Sequence, residues 1–201
     1  MIAARGSHLK HAFDGRDTPT ETSGKVSGAS FFVGGRTLTD PSLGAGYRPK
    51  WTGAGLEFLA GSDDSTPDYV AISGTTLPVS APLSQYALCW VQNLFAAPST
   101  GYPSGIFEPL VFAGAGNAWA QCQQNDTHML LLVGDDSGNR SFKAAHAYTK
   151  IAEIVTWTFA GGDVEDAANY GCRVNGVAKT VTVNATLAGA PSSAAGWVGG
   201  V

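Results

Sequence analysis

Charge is what this sequence has least of. Asp, Glu, Lys and Arg together make up 14% of its 201 residues, against about a quarter in an ordinary soluble domain. A surface of salt-bridged helices is excluded by that scarcity. With 44% hydrophobic residues, so is an intrinsically disordered chain, which needs high charge and little apolar content. No run of Lys and Arg occurs, and the formal net charge is −4. Nucleic acid is therefore not an expected partner, since displacing phosphate counterions needs clustered cations. Long apolar runs are missing too. Nothing approaches the roughly 20 residues that cross a bilayer as a helix, and Met1–Phe13, MIAARGSHLKHAF, lacks the continuous apolar core of a secretory signal. The expectation is a soluble chain with no membrane partner and no signal peptide.

Cysteine is sparse and odd in number. Cys89, Cys122 and Cys172 show no Cys-x-x-Cys spacing, and each lies in a strand-like apolar setting, so all three read as buried thiols serving as small hydrophobes. Histidine is also scarce. His8, His11, His128 and His146 form no metal set.

Glycine and turn formers are abundant. The 26 Gly and 10 Pro leave little room for helices, and the one helix-like window, Ala144–Ile151, is short. What remains is strand and turn. Asn169–Val183, NYGCRVNGVAKTVTV, alternates with a period of two around Asn175-Gly176, the signature of a hairpin with a type I′ turn. Further strands are predicted over Leu9–Phe13, Ala29–Val33, Leu56–Leu59, Tyr69–Ile72, Tyr86–Leu94, Ile106–Phe112, Trp119–Gln123, Met129–Val133, Ser141–Ala145 and Ile151–Phe159, with Val177–Val183 as the hairpin's return strand. Gly134–Asn139 reads as a second hairpin loop. The run His128–Val133, HMLLLV, is too uniformly apolar for a half-exposed strand and predicts a central one covered on both faces. Alternation places Leu88, Trp90, Leu131, Val155, Trp157, Tyr170, Cys172 and Val174 on inner faces.

The fold class expected is all-β, a two-layer antiparallel sandwich formed by residues 1–201 as a single domain. Residues 19–50 and 185–201 are exceptions, rich in Gly, Ser, Thr and Pro, and read as extended segments that lie on the sandwich or on a neighbour.

Several stretches carry a family resemblance. The run from Trp51 to Asp64, WTGAGLEFLAGSDD, followed by Asp68–Ile72, DYVAI, resembles the opening of a laminin-G-like, concanavalin A-like jelly-roll module, where Gly-x-x-Leu-x-Phe-x-Gly and Asp-Tyr-Val-x-Ile form two early strands. Tyr86–Val91 is similar to that family's Tyr-Ser-Leu-x-x-Trp-Val strand, and Ile154–Phe159 and Tyr170–Gly176 to two later ones. Lys10–Asp17, KHAFDGRD, is similar to its N-terminal edge motif, and Trp197–Gly200 to the start of its closing segment. The resemblance spans nearly the whole chain and implies a jelly-roll fold.

A glycosidase on such a fold would carry a Glu-x-Asp-x-x-Glu strand, which sets two carboxylates about 5–5.5 Å apart. Here Glu21, Glu57, Glu108, Glu153 and Glu165 stand singly, so no catalytic residue is assigned and the chain is read as non-enzymatic. No cofactor is expected beyond a possible calcium ion, for which Asp63, Asp64 and Asp68 are the candidate ligands, being hard oxygen donors in one loop. The same residues are ordinary turn formers. Tyr102 and Trp119 are the candidate ligand-binding aromatics, since rings stack on the apolar faces of sugars.

Low charge, a Gly/Ser/Thr/Ala-rich sandwich and extended segments resemble the jelly-roll accessory proteins of bacteriophage virions. That resemblance implies a structural protein, a capsid decoration or a tail or fibre component, assembled in the host cytoplasm into a virion. Its partners would be copies of itself and other virion proteins, as a homo-oligomer built by edge and extended-segment contacts. The alternative is a lectin-like, carbohydrate-binding module recognising glycans.

Overall fold

The computed structural model describes residues 19–22, 24–30, 37–39, 49–58, 69–72, 85–93, 104–111, 119–135, 138–187 and 197–199. They are mostly antiparallel β-strand with almost no helix, consistent with the all-β class. The only helical element among them is one 3-10 turn, Ala167–Asn169. The predicted strand at Leu9–Phe13 lies outside the described residues. The helix-like window at Ala144–Ile151 is no helix: it ends one strand and continues as an irregular connection.

The chain divides into two compact units, Met1–Thr75 with Ala195–Val201, and Thr76–Ala194. In the first, strands β1 (Thr20–Thr22), β2 (Lys25–Ser30), β3 (Thr37–Thr39), β6 (Tyr69–Ile72) and β16 (Trp197–Gly199) pair antiparallel in that order, while β4 (Lys50–Trp51) and β5 (Leu56–Glu57) form a separate hairpin. Val26 is its buried anchor, and its N–H donates to the carbonyl of buried Pro49 at 2.9 Å. β5 and β6 fall where strands were predicted, and β2 overlaps the predicted Ala29–Val33, whereas β1, β3, β4 and β16 fall in stretches that were read as merely extended. At two or three residues each, most are too short for a two-residue period to announce them.

In the second unit, β8 (Ser104–Val111), β9 (Trp119–Gln124), β10 (His128–Asp135), β11 (Gly138–Ala145) and β15 (Val181–Leu187) form one run of strands. The other sheet has the order β14 (Val177–Lys179), β13 (Tyr170–Val174), β12 (Glu153–Phe159), β7 (Tyr86–Gln92). Asn175 and Gly176 take φ of 51° and 81°, the left-handed pair that a type I′ turn requires, and Val174 faces Val177 across it. Asn175 also accepts from the Ile154 N–H through Oδ1, tying the turn to β12.

Side chains from both sheets enter one buried cluster. Leu88, Val155, Trp157, Phe159, Tyr170, Cys172 and Val174 come from one sheet; Cys122, Met129, Leu131, Val133, Phe142 and Ala144 come from the other. All the inner positions predicted from alternation are buried except Trp90, which is half-buried. β10 is flanked by β9 and β11, and Leu130 is buried on the face opposite Met129 and Leu131, as expected of a central apolar strand. An aromatic ladder runs through the cluster. Phe142 lies 4.2 Å from Tyr170 between ring centres, Tyr170 lies 4.9 Å from Phe159, and Phe159 lies 5.4 Å from Tyr86.

The stretch Val177–Val183 is two strands, not one. Thr180 is the single residue between β14 and β15, and the chain changes sheet there while its alternation continues unbroken.

Burial pushes the Cys172 thiol up to about 12 and raises Cys122, Tyr86 and Tyr170 in the same direction. An acid whose folded pKa lies above its unfolded value stabilises the fold below the unfolded pKa and loses that contribution as pH rises towards the folded one. Urea midpoints should therefore stay level from neutral pH to about 9 and fall steadily from there towards 12, a trend that a series of buffered unfolding curves will read directly.

Candidate functional site

Two features of the second unit have chemistry that the packing of a core does not require. The first is the outer face of the sheet containing β12. Alternation sends Ala87, Cys89 and Val91 of β7 outward, beside Thr158, Thr156 and Ile154 of β12 and Gly171 and Arg173 of β13. Val91 is 71% exposed and Ile154, directly opposite it, 51%. Arg173 supplies the only charge among these eight residues, and its Nη1 is held by the Gly176 carbonyl at 3.0 Å. Threonines fill the middle. Thr156 Oγ1 donates to Cys89 Sγ at 3.6 Å, and Thr158 presses on Gly171 so closely that a Cβ there would lie 2.7 Å from its Oγ1. The face is thus largely of small residues and nearly uncharged.

Cys89 on this face corrects the reading of three buried thiols: Cys122 and Cys172 are buried, Cys89 is exposed. The reason is parity. If Leu88 and Trp90 face inward, the residue between them faces out.

The second feature is a polar row closing one end of the core. Gln92 and Glu153 are cross-strand neighbours, 8% and 4% exposed, and Gln124 on the other sheet is wholly buried. Trp90 Nε1 donates to Gln92 Oε1 at 2.8 Å, and Gln92 Nε2 donates to Gln124 Oε1. Beside them Thr149 Oγ1 donates to Glu153 at 2.7 Å, and His146 Nε2 lies 3.0 Å from the same carboxylate. The connection from β11 to β12 is therefore clasped at its start and at its middle by one buried carboxylate. Gln124 Nε2 has no protein partner. Its other amide atom joins the two sheets, which is the role of the row: hydrogen bonds that accept only one alignment of the layers.

The residues singled out from the sequence fall elsewhere. Asp63, Asp64, Asp68 and Tyr102 lie outside the described residues. Trp119 opens β9, opposite Gly134 and Val111, and its side chain is outside them too. Among the described residues no three of His, Cys, Asp and Glu come together as a metal set, and no helix is long and apolar enough to cross a membrane. Glu165 and Asp163 sit in an exposed loop. Glu165 pairs with Arg140 at 2.8 Å and Asp163 caps the Glu165 N–H, so both serve the loop itself.

Comparison with protein-family models, with curated proteins and with solved structures finds no match to this chain.

Two outcomes are expected of this geometry. In native buffer one thiol per chain should react rapidly with Ellman's reagent, and the remaining two only after unfolding. Replacing Glu153 with Ala should lower stability by about 2–4 kcal/mol, because His146 and Thr149 then lose a buried acceptor; urea unfolding measures it.

Proposed function

We propose that this chain is a non-catalytic assembly module, built as a two-layer antiparallel β-sandwich of jelly-roll type. The contribution of both sheets to one buried cluster supports the layered architecture. The observation that carries the functional reading is the outer face of β7, β12 and β13, where Val91 and Ile154 stand exposed opposite each other with one charge nearby. Two exposed aliphatic side chains in register beside small Thr, Ala and Gly side chains suit close contact with another protein surface.

The resemblance to laminin-G-like modules and to phage accessory proteins supports the more specific form of the proposal: a bacteriophage virion protein, as a capsid decoration or part of a tail or fibre, associating with copies of itself and with other virion proteins. The carbohydrate-binding reading rests on Tyr102 and Trp119, and no described geometry favours it.

The test is the state of the protein in its source. It should purify within a large symmetric assembly, and the double substitution V91K/I154K should keep its far-UV spectrum while losing incorporation by more than tenfold. Recovery of the wild-type chain solely as a free monomer from that source would overturn the reading.

A further inference from the structure

The strands at the ends of these sheets differ in how they meet solvent. β1 is three residues long and carries exposed Glu21; β14 is three residues long and ends on Lys179. Short length and charge are the usual devices that stop a sheet edge from recruiting another strand. β7 is seven residues long and lacks both devices. β15 has none of these protections. It is seven residues long, Val-Thr-Val-Asn-Ala-Thr-Leu, without charge or proline. One edge bonds to β11, and among the described residues no strand pairs with the other. Thr182, Val183 and Asn184 are exposed, Val183 by 49% although it is an apolar residue opposite buried Phe142.

The order of residues in β15 is a palindrome of type. Counting outward from Asn184, Val183 matches Ala185, Thr182 matches Thr186, and Val181 matches Leu187. Two antiparallel copies related by a two-fold axis through Asn184 would set apolar opposite apolar, Thr opposite Thr and Asn opposite Asn, with no like charges facing each other. Such cross-strand matching is what stabilises an antiparallel pair, and a two-fold contact is satisfied by one self-complementary surface. Asn184 is also the residue without a partner on β11, the extra residue of a bulge between Ser141 and Phe142. Its Nδ2 donates back to Ser141 Oγ at 3.3 Å. The bulge therefore falls on the axis and leaves two regular three-residue stretches, Val181–Val183 and Ala185–Leu187, to pair with each other's copies.

We infer that β15 is a homodimerisation edge, at which two copies of this chain join their sheets antiparallel about Asn184. The inference rests on the reading of the chain as an assembly module and names one contact of it.

Charge placement tests both contact and symmetry. T182K/T186K puts Lys opposite Lys twice in the dimer, whereas T182K/T186E puts Lys opposite Glu twice. By sedimentation velocity the wild type should dimerise, the Lys/Lys variant should dissociate at least about tenfold more readily, and the Lys/Glu variant should recover dimerisation. Hydrogen exchange on the wild type needs no variant to fold: amides of Val181–Leu187 should gain protection as protein concentration rises. If the wild type associates but both variants behave alike, or if β15 exchange is independent of concentration, the pairing is overturned while the assembly reading stands. A wild type that is monomeric alone yet recovered in a particle also overturns the pairing only.

Discussion

Everything in the second unit depends on keeping Trp157 dry. It is fully buried at the centre of β12, with Leu88 on one side and Cys172 on the other in the same cross-strand row. Its Nε1 has no hydrogen-bond partner, so nothing polar rewards its position and apolar contact alone holds it. Burying an indole of that size removes on the order of 200 Å² from water, which only a covering layer on the far side can do. That requirement recruits Phe142, Met129 and Leu131 from β10 and β11 and sets the parity of every strand that touches them. A slip of one residue in β12 would turn Trp157 outward and bring Thr156 and Thr158 in.

The polar row complements this constraint. Apolar contact is tolerant of small shifts, whereas the bonds from Trp90 to Gln92, from Gln92 to Gln124 and from Glu153 to His146 and Thr149 are satisfied in one alignment only. The core supplies the attraction between layers and its end row supplies their alignment. The exposed loop carrying Asp163 and Glu165 is fastened separately, through Arg140 and through the Tyr170 hydroxyl, which donates to the Val164 carbonyl.

Much of this was legible where the signal is local. The Asn175-Gly176 turn, the central strand at His128–Val133 and the inward positions of β7, β12 and β13 all follow from alternation within a few residues. Cys89 was legible too, since its neighbours Leu88 and Trp90 assign it outward, but its apolar character suggested burial instead. The polar row was not legible, because Gln92 and Gln124 stand 32 residues apart and a lone Gln in a strand carries no mark of its eventual partner. The division of Val177–Val183 was hidden for another reason: a chain that changes sheets at Thr180 without breaking alternation looks like one strand. The all-β class was therefore readable, whereas the candidate face and edge emerged only once strands distant in sequence lay side by side.

The passage at Thr180 has a mechanical consequence. A single residue links the last strand of one sheet to the last strand of the other, so there is no slack between them. Tension applied along β15 reaches β14 within one peptide unit and is resisted at once by two separate ladders, β15 on β11 and β14 on β13. A displacement of β15 in its own sheet is therefore passed to the other sheet through one residue.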